Sequence, residues 1–270
     1  MHPNRKRHHG IMKWLVISTG IMSLIVYLLV SISNLFYYSH SILYPSHDDV
    51  QIPVLCYHSI GINTMDKYVV SPEHFKQQMS LLHNQGYTSI NLQQFDELMK
   101  GKVKNSGKSV LITFDDGYAD NYSTAFPIMR KYGFKATLFI VTNWMYGGSY
   151  LNWNQLSILN KAGWDIMPHT TTHPDLPLLS YRAQQEEIVD AKKAIEHHMS
   201  NENVNVMAYP YGFRSEETVK IVASSGFAYA FTFDDGLSSR SQNPLLLKRL
   251  FVSGKEDLHT FQQKMVITKF

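Results

Sequence analysis

The sequence has very little cysteine and, beyond its first residues, almost no excess of charge. Cys56 is the only cysteine among 270 residues, so the chain cannot form an intramolecular disulfide. It lies in the apolar stretch 53–57, which favours a buried, inert thiol over a nucleophile. Four of the 25 basic residues lie in residues 1–13, and the remaining 21 face 22 acidic residues. This balance gives no indication of nucleic-acid binding, so we expect no nucleic-acid partner.

One long apolar run stands near the N-terminus. Residues 15–38 carry no charged side chain over 24 residues, enough to cross a hydrocarbon core of about 30 Å. Because the basic residues precede this run, the positive-inside rule leaves residues 1–13 in the cytoplasm and exports the rest. We therefore predict a single-pass protein of the cell membrane with its globular domain outside the cell. The predicted divisions are a basic flank at 1–13, a transmembrane signal-anchor at 14–38, a linker at 39–52 and one domain at 53–270. Cleavage of a signal peptide near Ser33 is the alternative.

Strand-like and helix-like segments alternate after this linker. The strand-like runs lie at 53–57, 88–91, 109–114, 136–141, 164–168, 204–209, 228–233 and 246–252. The helical patterns begin at Ser71-Pro72 and cover roughly 93–100, 120–132, 153–162, 180–199 and 215–225. Repeated β-α alternation predicts an α/β fold with parallel strands in a sheet or barrel. Its functional residues are expected on the loops that follow the carboxyl ends of the strands.

Two adjacent carboxylates end one of these runs, in the pentapeptide Thr-Phe-Asp-Asp-Gly at 113–117. Adjacent carboxylates repel unless a cation or a proton relieves them. Neighbouring residues also point in different directions, so Asp116 can bind a metal while Asp115 faces substrate as a base. Fifty-three residues after Asp116 stands His169, with His173 four residues further on. One carboxylate and two imidazoles are typical ligands of a catalytic zinc-type site, so the pattern indicates a metal-dependent hydrolase.

Simpler interpretations exist for both motifs. The same pentapeptide recurs at 232–236 with no histidine pair after it, which favours a structural turn for that second copy. Histidines four apart also occur on ordinary helix surfaces. Here three threonines separate them and Pro174 follows, which disfavours a helix and favours a loop.

These motifs resemble those of the polysaccharide deacetylases of the NodB-homology type, carbohydrate esterase family 4. The pentapeptide at 113–117 matches the first family motif, residues 169–173 match the second, and Tyr-Pro-Tyr-Gly at 209–212 is similar to the third. The resemblance covers about residues 50–255. It implies a distorted (β/α)7-type barrel as the catalytic domain within 53–270, after the transmembrane helix.

The resemblance also implies roles for particular residues. Asp115 would be the general base, and Asp116, His169 and His173 would hold a divalent metal, most often Zn²⁺, with Co²⁺, Ni²⁺ or Mn²⁺ as alternatives. A backbone N–H such as that of Tyr211 would stabilise the oxyanion. The aromatic side chains of Tyr118, Tyr146 and Trp153 are candidates for stacking on sugar faces, although such residues more often pack in the core or at a rim.

Two departures from the family pattern refine this assignment. Ala208 stands where the third motif carries an arginine that pairs with the base, and Arg249 is the candidate replacement. The C-terminal Leu-x-His of other branches is absent. Tyr57-His58 is instead similar to the branch that acts on poly-β-1,6-N-acetylglucosamine, the biofilm intercellular adhesin, which makes His58 the expected general acid.

The leading functional hypothesis is therefore an exported N-deacetylase of a GlcNAc polymer, with the exopolysaccharide synthesis or export machinery as a possible partner. Peptidoglycan or chitooligosaccharide deacetylation is the alternative, and O-acetyl esterase activity on xylan is more distant. A non-catalytic carbohydrate-binding relative is the hypothesis from another class, and the intact set of acidic and histidine side chains argues against it.

Overall fold

The computed structural model describes residues 27–32, 50–62, 65–103, 108–199 and 203–266. The chain divides into two units, Met1–Asp49 and Val50–Phe270, and residues 27–32 of the first are helical. Across the described ranges, no helix is both long enough and apolar enough to cross a membrane. The predicted flank at 1–13, and most of the predicted span at 14–38 and linker at 39–52, lie outside those ranges.

The second unit alternates strands and helices along most of its length. The strands are β1 Gln51–Ile52, β2 Val54–Tyr57, β3 Ser59–Ile60, β4 Val69–Val70, β5 Tyr87–Ser89, β6 Lys108–Asp116, β7 Thr137–Ile140, β8 Asp165–Pro168, β9 Val206–Ala208, β10 Tyr229–Asp235, β11 Ser238–Ser239 and β12 Leu247–Phe251. The α-helices are α1 Pro72–Asn84, α2 Leu92–Met99, α3 Phe126–Arg130, α4 Trp153–Lys161, α5 Tyr181–His198, α6 Glu216–Ser224 and α7 Leu258–Val266. Each of the eight predicted strand runs overlaps one of these strands.

Seven of the described strands form a parallel barrel in the order β8-β7-β6-β2-β12-β10-β9. Strand β5 lies off this row and pairs with the start of β6. Strands β8 and β9 stand at the two ends of this row, and a hydrogen bond joins them where the barrel nearly closes. His169 Nδ1, just after β8, donates a hydrogen bond to Ala208 O at the end of β9, over 2.8 Å. The predicted seven-repeat barrel is confirmed.

Local sequence accounts for the helix boundaries. Helix α1 begins at Pro72, a residue suited to the first helical turn, and the Ser71 hydroxyl accepts a hydrogen bond from His74 N. The predicted helix at 120–132 differs from the structure, which has a π-helical turn at Asn121–Ala125 followed by the short α3. Pro127 lacks the N–H that would continue an α-helical ladder through this point.

Candidate active site

The two motifs meet at the carboxyl end of the barrel, because β6 ends at Asp116 and β8 ends just before His169. Asp116 Oδ1 lies 3.7 Å from His169 Nε2 and 3.5 Å from His173 Nε2. Potential ligand atoms of these three residues all lie within 4.8 Å of one another. The predicted ligand set is thus assembled in space from two separate loops.

This cluster has the features that a metal site requires. Ala208 O can only accept a hydrogen bond, so His169 Nδ1 carries the proton and Nε2 keeps its lone pair toward Asp116. Asp116 Oδ1 is buried and has no hydrogen-bond partner among the described residues. Burial, together with the charge of Asp115, raises the pKa of Asp116 to about 7. A divalent cation between these atoms would relieve both the repulsion and the unsatisfied oxygen, so the donor set fits a metal.

Asp115 points to a different partner from Asp116. Arg249 Nη1 donates to Asp115 Oδ1 and Arg249 Nη2 to Asp115 Oδ2, each over 2.7 Å, and both residues are 1% exposed. Burial alone would raise the pKa of Asp115, but the guanidinium of Arg249 and the nearby His169 hold it well below its usual range. The carboxylate is therefore ionised and fixed in one orientation. Arg249 therefore supplies the positive charge beside Asp115 that Ala208 cannot supply.

His58 follows β2 and faces the same end of the barrel. Its ring lies against Tyr68, with the ring centroids 4.8 Å apart, and Phe233 and Phe251 are within about 6 Å. One nitrogen of His58 lies within 4.8 Å of an oxygen of Asp115. Burial lowers the pKa of His58 to about 4, which holds the imidazole neutral near pH 7 in the free enzyme.

Tyr211 lies in a strained turn beside the cluster of Asp116, His169 and His173. Its backbone is left-handed, with φ 57°, and its ring is T-shaped against His173 at a centroid distance of 4.4 Å. The next residue, Gly212, also has a positive φ of 73°, and a Cβ there would lie 2.6 Å from Phe233 N. Only glycine fits at position 212, because the turn is pressed closely onto Phe233 of β10, and Tyr211 in this turn lines the pocket.

These side chains surround a pocket of about 410 Å³ with aromatic walls. The pocket is lined by His58, Tyr68, Asp115, Asp116, Tyr118, Trp144, His169, His173, Tyr209, Tyr211, Phe213 and Phe233. Of the three aromatic residues predicted to contact sugar, Tyr118 lines this pocket. Tyr146 is 81% exposed and lies outside its lining. Trp153 also lies outside it, because it starts α4 and stacks on His198 with centroids 3.9 Å apart.

The comparison with known families and proteins agrees with this geometry. The sequence profile named polysaccharide deacetylase matches residues 102–230. The YxkH protein of Bacillus subtilis, which carries the same family name, is 34% identical over 203 residues, covering 75% of this chain and 72% of its own. The chain belongs to the polysaccharide deacetylase family. It is therefore a hydrolase of carbohydrate esterase family 4, whose members are generally metal-dependent.

Three further proteins are similar to this deacetylase in sequence or in fold. The poly-β-1,6-N-acetyl-D-glucosamine N-deacetylase of Staphylococcus epidermidis is 28% identical over 210 residues, covering 72% of this chain and 71% of that protein. The deacetylase PplD of Streptococcus pyogenes, solved in complex with acetate, has a TM-score of 0.75 at 28% identity, covering 80% of this chain and 98% of that one. IcaB from Ammonifex degensii shares the fold, with a TM-score of 0.71 at 24% identity over 82% of this chain and 97% of that one.

The structure also adds residues to the deacetylase site that the sequence did not single out. Asn121 Nδ2 donates to His58 O over 2.8 Å, and Asp120 Oδ1 accepts from Ile60 N over 3.0 Å. This pair fixes the segment that carries His58. The Cys56 thiol donates to Asp115 Oδ2 over 3.5 Å, and burial raises its pKa, in keeping with the predicted inert thiol. The sequence could have pointed to Asp120 and Asn121, because they lie just after the first motif.

Proposed function

We propose that this enzyme removes N-acetyl groups from an extracellular GlcNAc polymer, with poly-β-1,6-N-acetylglucosamine as the preferred substrate. The observation that carries the proposal is the placement of His58 beside Asp115 at the mouth of the barrel. That placement suits an acid delivered from the first barrel strand, which is the arrangement that the resemblance of Tyr57-His58 to this substrate branch implies. The Staphylococcus epidermidis relative, named for the same substrate, supports the choice.

Asp115 is the proposed general base. Its carboxylate is ionised and held by two hydrogen bonds from Arg249, so it is oriented to take a proton from an attacking water. When bound to Asp116, His169 and His173, a divalent metal would polarise the acetyl carbonyl and make that water more acidic. Zn²⁺ suits one carboxylate and two imidazoles best, and we propose it as the metal.

His58 is the proposed general acid, although burial keeps it neutral in the free enzyme. The pKa of Asp115 lies well below its ordinary value, whereas that of His58 is about 4. We propose that the proton that Asp115 takes from water passes to His58, one nitrogen of which lies within 4.8 Å of an oxygen of Asp115. His58 then gives that proton to the amine as the carbon–nitrogen bond breaks. The proton taken from the water thus ends on the leaving amine. The backbone N–H of Tyr211 is the proposed donor to the developing oxyanion.

A parallel substrate comparison tests the substrate assignment. Acetate release should be fastest from poly-β-1,6-GlcNAc, when that polymer, chitooligomers and peptidoglycan are compared at equal acetyl concentration. Faster release from peptidoglycan or chitooligomers would establish the alternative substrate. Absence of release from all three, with metal bound, would favour a carbohydrate-binding relative instead.

The role of His58 has a separate test. A positioned acid contributes about 10²–10⁴-fold, and its value rises with the basicity of the leaving group. His58→Ala should therefore lose about that factor on the amide substrate and far less on an activated aryl acetate. Equal losses on both substrates would indicate a damaged metal site rather than a missing acid.

We also propose that the chain is anchored in the cell membrane through residues 14–38, with the enzyme outside the cell and near exopolysaccharide synthesis or export proteins. The uncharged run supports this proposal. Full-length protein should stay with membranes after a high-salt wash. A mature N-terminus near Asn34 in the soluble fraction would instead establish cleavage.

A further inference from the structure

The loop that joins the two histidine ligands is held on one side by the barrel. Thr142 N donates to Thr170 O over 3.2 Å, and Asn143 N donates to Thr171 O over 3.0 Å. His169 N donates to Ile140 O over 2.8 Å. The turn that follows β7 therefore satisfies the carbonyls of Thr170 and Thr171, and β7 itself accepts from the His169 N–H.

A single glutamate holds the other side of this loop. Glu187 Oε2 accepts from Thr171 N over 2.9 Å and from Thr172 N over 2.8 Å. Glu187 Oε1 accepts from the Thr172 hydroxyl over 2.6 Å, and Glu187 O accepts from the Thr171 hydroxyl over 3.0 Å. One residue thus binds both amides and both hydroxyls of the two central threonines.

The loop needs such a restraint because its backbone is strained. Thr170 and His173 have left-handed conformations, with φ 68° and 63°. A β-branched residue is a genuine outlier there, and conformations of this kind persist only where the surroundings enforce them. The Thr170 hydroxyl accepts from His173 N over 3.1 Å, which closes the turn within the loop itself. The enforcement from outside comes from the β7 turn and from Glu187.

We propose that Glu187 is a positioning residue for the metal site. It holds residues 169–173 so that the Nε2 atoms of His169 and His173 both face Asp116. This inference rests on the proposed metal-dependent function. Partners outside the ligand set commonly change metal affinity by 10–100-fold when they are removed, because they fix the orientation of the ligands.

The position and charge of Glu187 suit this role. It lies in the middle of α5, an 18-residue helix whose buried face includes the adjacent Ile188, so its backbone is fixed. An ionised carboxylate makes stronger hydrogen bonds to N–H groups than a neutral acceptor does. Glutamine would keep one accepting oxygen for the two amides, whereas aspartate is one methylene too short to reach both.

The neighbouring residue offers a matched control. Glu186 carries the same charge on the same helix, but its side chain is 56% exposed and pairs with Arg182. Substitution at Glu186 therefore removes the same charge from α5 without touching the histidine loop.

The test is metal affinity rather than turnover. Zn²⁺ binding to metal-free protein is measured by competition with a chelator, together with the visible absorption of the Co²⁺ form, for Glu187→Ala, Glu187→Gln and Glu186→Ala. We expect Glu187→Ala to weaken Zn²⁺ binding by about 10–100-fold and to change the Co²⁺ spectrum. Glu187→Gln should be intermediate, and Glu186→Ala should match the wild type.

Each outcome bears on a definite claim. Unchanged Zn²⁺ affinity and an unchanged Co²⁺ spectrum in Glu187→Ala would overturn the positioning role while leaving the metal site intact. A wild-type protein that binds neither metal would overturn the proposed function, and the inference with it. If Glu187→Ala does not fold, Glu187→Gln decides the question, since a wild-type affinity there excludes any need for the carboxylate.

Discussion

The two copies of Thr-Phe-Asp-Asp-Gly have the same sequence and different surroundings. In the first copy, the Asp115 side chain is 2% exposed and pairs with Arg249, which is equally buried. In the second copy, the Asp234 side chain is 46% exposed and pairs with Arg214 near the surface. Both first aspartates thus bind a guanidinium, but only the first pair is removed from water.

The second aspartates differ more. Asp116 leaves the strand in a left-handed conformation, with φ 71°, and turns toward His169 and His173. Asp235 remains within β10, in register with Arg249 on β12, and its side chain is exposed. The pentapeptide therefore specifies a strand end with two carboxylates, and the neighbouring loops decide whether it becomes a site.

The largest expected difference between the copies is in turnover. Asp115→Asn removes the proposed base while keeping its shape, so turnover should fall by about 10²–10⁴-fold with the metal still bound. Asp234→Asn should leave turnover within a few fold, since Asp234 is linked to the site indirectly, through Arg214, which donates to Gly212 O over 2.9 Å. Acetate release and metal content, measured on both variants, check this. Reversed effects would show that the second copy is the catalytic one.

A smaller difference is expected in stability. Arg249→Met leaves Asp115 as a buried unpaired carboxylate, and breaking such a pair costs about 3–5 kcal/mol. Arg214→Met breaks an exposed pair, which typically contributes about 0–1 kcal/mol. Urea unfolding of both variants at pH 7 measures the contrast. Similar losses in the two would mean that burial does not distinguish the pairs.

The pH dependence of the Arg249 variant sharpens this test. In the wild type, the depressed pKa of Asp115 gives stability that is present above the ordinary carboxyl pKa and is lost as the pH falls below it. Without Arg249, burial raises the pKa of Asp115, so the folded state binds the proton more tightly than the unfolded state. The variant should therefore recover part of its lost stability at pH 4.5 relative to pH 7. The free energy of unfolding from urea titrations at both pH values measures this recovery.

The sequence predicted the structural features that depend on neighbouring residues or on recognisable motifs. The strand runs follow from short buried apolar segments, and the helix starts from residues such as Ser71 and Pro72. Arg249 was found because a missing charge at Ala208 had to be replaced. Glu187 was missed, because its contacts join residues about 15 positions apart and no local pattern marks them. The sequence also could not show that Trp153 lies outside the pocket lining, since whether an aromatic residue lines a pocket depends on packing, here against His198.

The smallest expected difference between the two copies is the release of one proton when a metal binds. In the metal-free enzyme, burial and Asp115 raise the pKa of Asp116 to about 7, while burial lowers the pKa of His169 to about 3 and also lowers that of His173. Near pH 6, therefore, Asp116 is the ligand that still holds a proton, and a metal must displace it. Zn²⁺ binding at pH 6 should release about one proton, and the apparent affinity should rise up to about tenfold per pH unit toward pH 7 before levelling off.

Calorimetry in buffers of different ionisation enthalpy measures this proton release directly. The control is Asp235→Asn, the matching change in the second copy, which should release the same proton as the wild type because Asp235 is exposed and away from the histidines. Asp116→Asn should bind Zn²⁺ weakly and release no such proton. Release of two protons by the wild type would mean that a histidine is also protonated near pH 6, and release of none would mean that Asp116 is already ionised. Release of none would therefore show that the two aspartates of the first copy do not differ in the way that their burial and partners imply.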